Sequence, residues 1–318
     1  MIELVLKPTR ACNFKCSFCS SNKIANSKIS LELLEYFLQT NLTSNIIVNG
    51  GDPLMLPPIF YYKLYEILKK TNPEGKISFT TNLWDWYINP NKWNQCFKDC
   101  NISICTSFQY GKGRIKPDGS DFTVTDFLKI FYKFKETFNE NLSFISVLTN
   151  ENDQFAIDNV LLAKDLNTKC KLNGAVCSGR QGYLYNREKL FSIYLKLFQL
   201  GLDKYENNCE NIRNYFQKKP TICPISNQNC SNTIRCMQAN GRISNCPSLD
   251  DDDILDSSIY KFFKKDCLIC KFCSLCNGCK KIVHDLQMEN NQLLDCSNFK
   301  TILTEIEKIC LEQKNANQ

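Results

Sequence analysis

The chain has 318 residues, of which 43% are hydrophobic and 23% charged, an ordinary balance for a globular protein. No run of roughly eighteen apolar residues occurs, which excludes a membrane-spanning helix, and the N-terminus lacks the layout of a signal peptide. We therefore expect a cytoplasmic protein. The net charge of +6 comes from scattered basic residues, which predicts a solvated surface rather than a nucleic-acid-binding patch.

Cysteine is the unusual residue, with 20 copies against one histidine, His284. Disulfide-rich scaffolds are short and secreted, and this chain has neither property. In a reducing compartment, closely spaced thiols are expected to bind metal, and the scarcity of histidine indicates all-cysteine ligation. Iron–sulfur clusters are therefore the first expectation, and zinc held by four cysteines is the second.

Short apolar runs alternate with helical patterns up to about residue 180. The predicted strands are Ile2–Lys7, Asn45–Asn49, Lys76–Thr81, Ile102–Ser107, Leu142–Leu148 and Cys170–Val176. The predicted helices are Ser30–Gln39, which starts from an N-cap serine, Pro58–Lys70, Phe122–Phe138 and Glu151–Leu166. This alternation predicts an α/β fold with a parallel sheet. Because six units are too few for a closed eight-unit barrel, we expect a partial (β/α)6 barrel.

The character of the sequence changes towards the C-terminus. Residues 1–190 are predicted to form the partial barrel, and residues 191–219 a helical bridge. Residues 220–318 carry ten cysteines between Cys223 and Cys296, which predicts a small cysteine-rich domain organised around metal, with a C-terminal helix. Cys236 lies in a predicted hairpin strand, Thr233–Met237, where we expect a buried core thiol.

The first predicted strand runs directly into Cys12-Asn-Phe-Lys-Cys16-Ser-Phe-Cys19. Three thiolates at this spacing can hold a [4Fe–4S] cluster and leave its fourth iron open, as a catalytic metal site requires. The pattern CxxxCxΦC, with Phe18 as the aromatic residue, resembles the signature of the radical S-adenosylmethionine (SAM) superfamily. The resemblance implies that Cys12, Cys16 and Cys19 hold a SAM-binding cluster. It also implies that SAM is cleaved to a 5′-deoxyadenosyl radical, which takes a hydrogen atom from substrate.

Other positions extend this resemblance. The second strand runs into Asn49-Gly50-Gly51-Asp52-Pro53, where the family commonly has GGEP and binds the SAM amino group through the backbone. The third and fourth strands end in Asn82 and Ser107, where relatives place residues near SAM; ordinary strand-end hydrogen bonding is the alternative. The cofactor-binding residues that the resemblance implies are Phe18, Asn49, Gly50, Gly51, Asp52, Pro53, Asn82 and Ser107.

The C-terminal cysteines resemble the SPASM domain, which holds two auxiliary [4Fe–4S] clusters in many peptide-modifying enzymes. The resemblance implies one cluster on Cys223, Cys230, Cys246 and Cys279, and another on Cys267, Cys270, Cys276 and Cys296. The spacing from Cys276 to Cys279 departs from the family pattern. The extra thiol Cys273 is an alternative to Cys276, because it completes a C-x2-C-x2-C run. A zinc ribbon is the alternative for the whole region.

Two cysteines lie near the expected substrate opening: Cys105 in the fourth strand and Cys177 just past the sixth. Some related epimerases use such a thiol to return a hydrogen atom, so both are candidate catalytic hydrogen-atom donors, with simple packing as the alternative. The remaining cysteines, expected to be ordinary thiols, are Cys96, Cys100, Cys170, Cys209 and Cys310.

Together the two resemblances imply post-translational modification of a peptide or protein, by crosslinking, epimerisation or oxidation. The alternatives are modification of a small metabolite, a non-catalytic metal-binding adaptor, and formylglycine formation as in sulfatase maturases. Against the last, Pro247 replaces the aspartate that such relatives carry after the second SPASM cysteine. Expected partners are the substrate and a reductant such as ferredoxin or flavodoxin, without membrane or nucleic acid. Substrate binds either directly, which we favour, or through a separate leader-recognition protein.

Overall fold

The computed structural model describes residues 1–19, 28–176, 184–219, 233–246, 269–272, 275 and 296–315. An eight-stranded sheet forms its centre. The strands are β1 (Ile2–Leu6), β2 (Thr43–Val48), β3 (Lys76–Thr80), β4 (Ser103–Ser107), β5 (Ser143–Leu148), β6 (Cys170–Gly174), β7 (Ile234–Met237) and β8 (Ile243–Ser244). Their order is β6-β5-β4-β3-β2-β1-β7-β8, and every neighbouring pair is parallel except β7–β8.

Helices connect the strands and cover one face of the sheet. They are α1 (Leu31–Thr40), α2 (Pro58–Thr71), α3 (Trp84–Ile88), α4 (Pro90–Asp99), α5 (Val124–Phe138), α6 (Ala156–Asp165), α7 (Arg187–Gln199), α8 (Asn207–Phe216) and α9 (Cys296–Asn315). Local sequence explains several helix starts. Ser30 caps α1 by accepting from the Leu33 amide, and Thr123 forms a capping box with Asp126 at α5.

The two faces of the sheet differ, as β1 illustrates. Leu4 and Leu6 are fully buried in the main core beneath the helices. Val5 points the other way and packs with Ile234 and Cys236 of β7. Side chains alternate along a strand, so Val5 lies on the second face of the sheet. The sheet is curled, and this second face forms the inside of a half-barrel.

The predicted fold class is confirmed: all six predicted strands are present in a curled parallel sheet. Two features were not predicted. Helices α3 and α4 fill the β3–β4 connection, and β7 pairs in parallel with β1 rather than standing apart as a hairpin. The hairpin itself is present as β7–β8, and Cys236 is fully buried there, as expected.

The C-terminal helix returns to the barrel. Phe299 of α9 packs edge-on against Phe191 of α7, with ring centroids 5.7 Å apart. Lys271 pairs with Glu307 of α9, and the Arg187 guanidinium donates to the Leu275 carbonyl. These contacts attach parts of the cysteine-rich region to α7 and α9. Among the helices in the described ranges, none has the length and apolar character needed to cross a lipid bilayer.

Candidate active site

Residues Cys12–Cys19, here called the cysteine loop, begin six residues after the end of β1. The loop is anchored by Phe14, which is buried and meets the rings of Trp84 and Phe122 edge-on at centroid distances of 6.0 and 5.4 Å. The Cys12 thiol accepts a hydrogen bond from the Phe14 amide at 3.4 Å. An apolar anchor in the middle of the loop thus leaves the flanking thiols nearer to solvent.

A second loop, residues 109–121 and here called the strap, lies against the cysteine loop. The Lys15 amide donates to the Ile115 carbonyl at 2.9 Å, and the Ser17 amide donates to the Gly113 carbonyl at 2.8 Å. Gly113 has φ +100°, and a Cβ there would lie 2.5 Å from the Ser17 hydroxyl. The close approach of the two loops therefore depends on glycine at this position.

Gly50 and Gly51 bring the end of β2 against the segment that leads into the cysteine loop. The Gly51 amide donates to Thr9 and the Asp52 amide to Ala11, at 3.0 and 2.8 Å. A Cβ on Gly51 would lie 2.0 Å from the Ala11 carbonyl oxygen. The sequence predicts that these glycines make room for a ligand; in the structure they make room for the backbone leading into the cysteine loop.

Asp52 is buried and connects the ends of β2 and β3. Its carboxylate accepts from the Leu54 amide at 2.9 Å, the Thr81 hydroxyl at 3.0 Å and the Asn82 amide at 2.8 Å. Burial raises the pKa of Asp52 to about 6, although these hydrogen bonds oppose the shift. The side chain that distinguishes GGDP from GGEP is therefore used inside the protein, to hold two strand ends together.

Asn82 extends this connection to the cysteine loop. Its side-chain amide donates to the Asn13 side chain at 2.7 Å and lies 3.9 Å from the Cys12 sulfur. Its carbonyl oxygen accepts from the Trp84 amide at 2.8 Å. Hydrogen bonding thus runs from Asp52 through the end of β3 to the residue beside Cys12.

Ser107 lies at the end of β4, where it meets a buried arginine. The Ser107 hydroxyl accepts from Nη1 of Arg114 at 2.9 Å, and Gln109 Oε1 accepts from Nε and Nη2 at 3.2 and 2.6 Å. The guanidinium also lies over the Phe18 ring, 5.3 Å from its centroid. Arg114 therefore joins the strap, β4 and the cysteine loop.

Cys105 lies on the half-barrel side of β4, level with Thr80 of β3 and Ser143 of β5. Burial raises the pKa of its thiol, opposed by a hydrogen bond with Ser143 and the positive charge of Lys171. The thiol is thus protonated at neutral pH, as a hydrogen-atom donor must be. The second candidate donor, Cys177, lies outside the described residues.

Comparison with known proteins identifies this arrangement. Residues 6–158, which include the cysteine loop, the strap and β1–β5, match the family described as the Radical SAM superfamily. This part of the chain is a radical SAM domain. Over 163 residues, half of this chain, the sequence is 26% identical to biotin synthase of Clostridium perfringens (strain 13 / Type A). The match spans about half the length of that curated relative, at 47%.

Solved structures resemble the radical SAM domain and the rest of the described chain in fold. Native anSMEcpe with bound AdoMet, a sulfatase maturase, superposes with a TM-score of 0.70 at 16% identity, covering 100% of both chains. The same protein with AdoMet and the Cp18Cys peptide gives 0.66 at 16% identity, with 98% of this chain and 97% of that chain covered. At these identities the likeness establishes the fold.

Radical SAM domains use SAM and a [4Fe–4S] cluster, and these are the cofactors of this domain. The donor set fits the cluster, because one loop presents three thiols and iron–sulfur clusters are held by thiolates. Within the described ranges, no three Cys, His, Asp or Glu side chains converge on a single-ion site.

The electrostatics of the loop favour the neutral form of the Cys12 thiol until metal binds. Crowding by protein atoms and the Asp52 carboxylate raise the pKa of Cys12 to about 12, and Cys16 and Cys19 add to this shift. Metal binding deprotonates such thiols, since the metal charge far outweighs these local effects. Loading the loop therefore releases protons.

The predicted auxiliary ligands are only partly described. Cys246 and Cys270 are both partly buried, and Cys296 is the first residue of α9. The other predicted ligands, which lie outside the described residues, are Cys223, Cys230, Cys267, Cys273, Cys276 and Cys279. All five cysteines expected to be ordinary thiols are buried in the core: Cys96, Cys100, Cys170, Cys209 and Cys310.

Sequence reasoning missed Arg114, Gln109 and Asn13. A single arginine in the glycine-rich strap sequence Gly111-Lys-Gly113-Arg114 has no pattern that predicts burial. The available signal was the pair Gly111 and Gly113, because two glycines so close together indicate a tightly constrained loop, and both have a positive φ in the structure.

Proposed function

We propose that this protein cleaves SAM reductively and uses the 5′-deoxyadenosyl radical to abstract a hydrogen atom from a peptide or protein. The observation that carries the proposal is the cysteine loop: three thiols beside the strand ends of a half-barrel, held by the strap and by Asn82. When bound, the cluster supplies an electron to SAM, and the rest of the chemistry depends on how the protein holds the reacting groups.

The chain's own residues would bind and orient SAM. Backbone groups at Gly50–Pro53 would meet the amino group, as the family resemblance implies. Asp52 fixes that backbone through Leu54 and the end of β3. Ser107 and Asn82 stand at neighbouring strand ends, and each is already held by hydrogen bonds that restrict its side-chain position.

A peptide or protein substrate is supported by the fold and by the half-barrel interior. The fold resembles, over nearly the whole chain, a protein solved with a peptide bound. On the interior face of β4–β6, the polar residues Ser143, Lys171 and Asn173 lie alongside Cys105, and Ile145 and Val147 add apolar surface. Such a surface suits a polar chain that enters from the open side, with Cys105 and Cys177 as candidate hydrogen-atom donors.

The cysteine-rich region, in this proposal, holds two auxiliary [4Fe–4S] clusters in a SPASM-like domain. Their proposed ligands are Cys223, Cys230, Cys246 and Cys279 for one, and Cys267, Cys270, Cys276 or Cys273, and Cys296 for the other. Anaerobically reconstituted protein should then bind about twelve irons per chain. Binding of only about four irons, with zinc in the remainder, would replace the auxiliary clusters by a zinc ribbon.

In this proposal the enzyme is cytoplasmic, and a ferredoxin or flavodoxin delivers the electron.

SAM cleavage is tested without substrate. Incubation with dithionite and SAM should release 5′-deoxyadenosine slowly. Cys16→Ala should abolish the release, and the buried control Cys96→Ala should retain it. S-adenosylhomocysteine as the sole product would indicate methyl transfer and refute the radical proposal.

Substrate class is tested with the short peptides encoded beside the gene, with and without any adjacent recognition protein. Mass spectrometry should detect a loss of hydrogen or a crosslink in a peptide incubated with this chain alone, and a reaction in D2O should reveal an epimer by the gain of one deuterium. An absolute need for the second protein would refute direct binding. Conversion of Cys or Ser to formylglycine would favour the sulfatase-maturase alternative, and modification of a small metabolite alone would refute the peptide substrate.

A further inference from the structure

Arg114 is a buried cation whose hydrogen-bond partners among the described residues are all neutral. Its side chain is 6% exposed and donates to Gln109 and Ser107, neither of which carries charge. Among the described residues, no carboxylate forms an ion pair with it. Residues 20–27, which continue the cysteine loop and lie outside the described ranges, contain no Asp or Glu in the sequence.

A buried charge without a counter-charge is costly, by several kcal/mol, so such groups normally have an anion nearby. Guanidinium stays protonated in proteins, so Arg114 cannot escape this cost by losing its proton. Burial lowers the pKa of Arg114, and negative charge on the thiols of Cys16, Cys12 and Cys19 would oppose that shift. Contact with Phe18 places the guanidinium against the segment between Cys16 and Cys19.

We propose that Arg114 is the built-in counter-cation of the cluster on the cysteine loop. Three thiolates give the bound cluster a net negative charge, which grows by one when an electron arrives from the external reductant. A fixed cation nearby stabilises thiolate ligation and, more strongly, the reduced state. Arg114 therefore makes the cluster easier to reduce. The inference rests on the proposed function, since it concerns the cluster that reduces SAM.

The chain offers variants that separate charge from packing. Arg114→Gln removes the charge. Gln109→Glu has nearly the same shape and places a carboxylate against the guanidinium, which cancels the charge while Arg114 stays in place. Arg114→Lys keeps the charge. Lys116→Gln is the matched control, because it removes one positive charge from the same strap, but that charge is already paired with Asp126 at 3.1 Å.

The experiment is a reductive titration of each variant without SAM, followed by electron paramagnetic resonance. The signal missing from a Cys12/Cys16/Cys19→Ala variant identifies the cluster on the cysteine loop. We expect Arg114→Gln and Gln109→Glu to shift its midpoint potential to more negative values. Wild type, Arg114→Lys and Lys116→Gln should titrate together. Loss of this cluster from Arg114→Gln and Gln109→Glu, with its retention in wild type, Arg114→Lys and Lys116→Gln, would also support the proposal. That result would show that the positive charge stabilises thiolate ligation.

Wild-type midpoint potentials in both Arg114→Gln and Gln109→Glu would overturn the proposal. An unchanged SAM-free potential with weakened SAM binding would assign Arg114 to the cofactor instead. If Arg114→Gln does not fold, Gln109→Glu decides the outcome alone. The titration needs neither substrate nor SAM cleavage, so a protein that modifies no peptide still gives a clear answer. A negative result here likewise leaves the SAM-cleavage assay untouched.

Discussion

Two buried carboxylates, Asp52 and Glu206, each lie among cysteines, and they organise opposite kinds of site. Asp52 joins the ends of β2 and β3 beside a loop whose thiols reach the surface. Glu206 accepts from the Leu172 and Cys209 amides at 2.8 and 2.6 Å and closes the free edge of β6. Burial raises the pKa of both carboxyls, so the electrostatic signature alone does not distinguish them.

The difference lies in the thiols. Around Glu206, Cys170, Cys209 and Cys310 are fully buried, and burial raises their thiol pKa values. They fill space as small apolar side chains do. At the cysteine loop, in contrast, the backbone has left the sheet and the thiols have room for a ligand. Cysteine clustering therefore indicates a metal site only where the backbone leaves the thiols accessible.

The largest expected effect separates the two thiol groups directly. The Cys12/Cys16/Cys19→Ala variant should lose about four irons per chain after anaerobic reconstitution, because one whole cluster loses its ligands. The Cys209→Ala/Cys310→Ala control should keep the full iron content and lose roughly 1–2 kcal/mol of stability per site through small cavities. Iron analysis and urea denaturation measure the two effects. Iron loss in the control would make the core thiols ligands.

Gly51→Ala should have the second-largest effect, a several-fold lower iron content on the cysteine loop. A Cβ at this position would lie 2.0 Å from a backbone oxygen, so the loop must move. Gly119→Ala is the control without a steric clash: nothing lies within 4 Å of the added Cβ, and its φ of +87° accounts for the small cost of the substitution. That control should cost only about 1 kcal/mol and bind iron normally. Equal iron contents in the two variants would contradict the packing argument.

Removal of the carboxylates should lower stability similarly but affect iron differently. Glu206→Ala leaves two buried amide donors without an acceptor, which should cost about 2–4 kcal/mol in the free energy of unfolding. Iron per folded chain should stay unchanged. Asp52→Ala should lose comparable stability and also cluster content, because Asn82 is released from the loop. Both are measured by urea denaturation and iron analysis. Normal iron in Asp52→Ala would show that the end of β3 does not position the loop.

The smallest expected effect is a pH dependence at Glu206. Burial raises the pKa of Glu206 above its ordinary 4.5, so the folded protein keeps this proton after the unfolded chain has released it. The contribution to stability is therefore largest below pH 4.5 and falls as the pH rises through the folded-state pKa. Glu206→Gln should remove this decline. Parallel pH profiles of the urea midpoint for the two proteins would contradict the assignment.

Much of the fold could be predicted because it follows from local patterns. The strand–helix alternation and the Ser30 cap are readable within a few residues, and the spacing of Cys12, Cys16 and Cys19 is equally local. Helices α3 and α4 were missed because the Trp84–Asp99 segment has a polar mean composition and a proline at position 90. Its buried aromatic residues, Trp86, Trp93 and Phe97, became recognisable only once they packed against α2 and α5.

The rest depended on contacts between residues far apart in the chain. β7 is four residues long and pairs with β1 across more than 200 positions, which no local pattern reveals. Arg114 is important because of Phe18 and the thiols, and nothing in its own neighbourhood indicates them. Asp52 was expected at the cofactor through its backbone, whereas its side-chain partners, Thr81 and Asn82, lie about thirty residues away.

The pairing of the strap with the cysteine loop also determines when, during synthesis of the chain, the cysteine loop can reach its final shape. Ile115, which accepts from Lys15, follows it by 100 residues. At about 5–20 residues per second, the thiols leave the ribosome about 5–20 s before the segment that shapes them. During that interval they are three unstructured cysteines, open to oxidation or to the wrong metal. The cysteine loop therefore reaches the shape described above only after β4 and the strap have been synthesised, which makes cluster binding in that shape a late event in the synthesis of this protein.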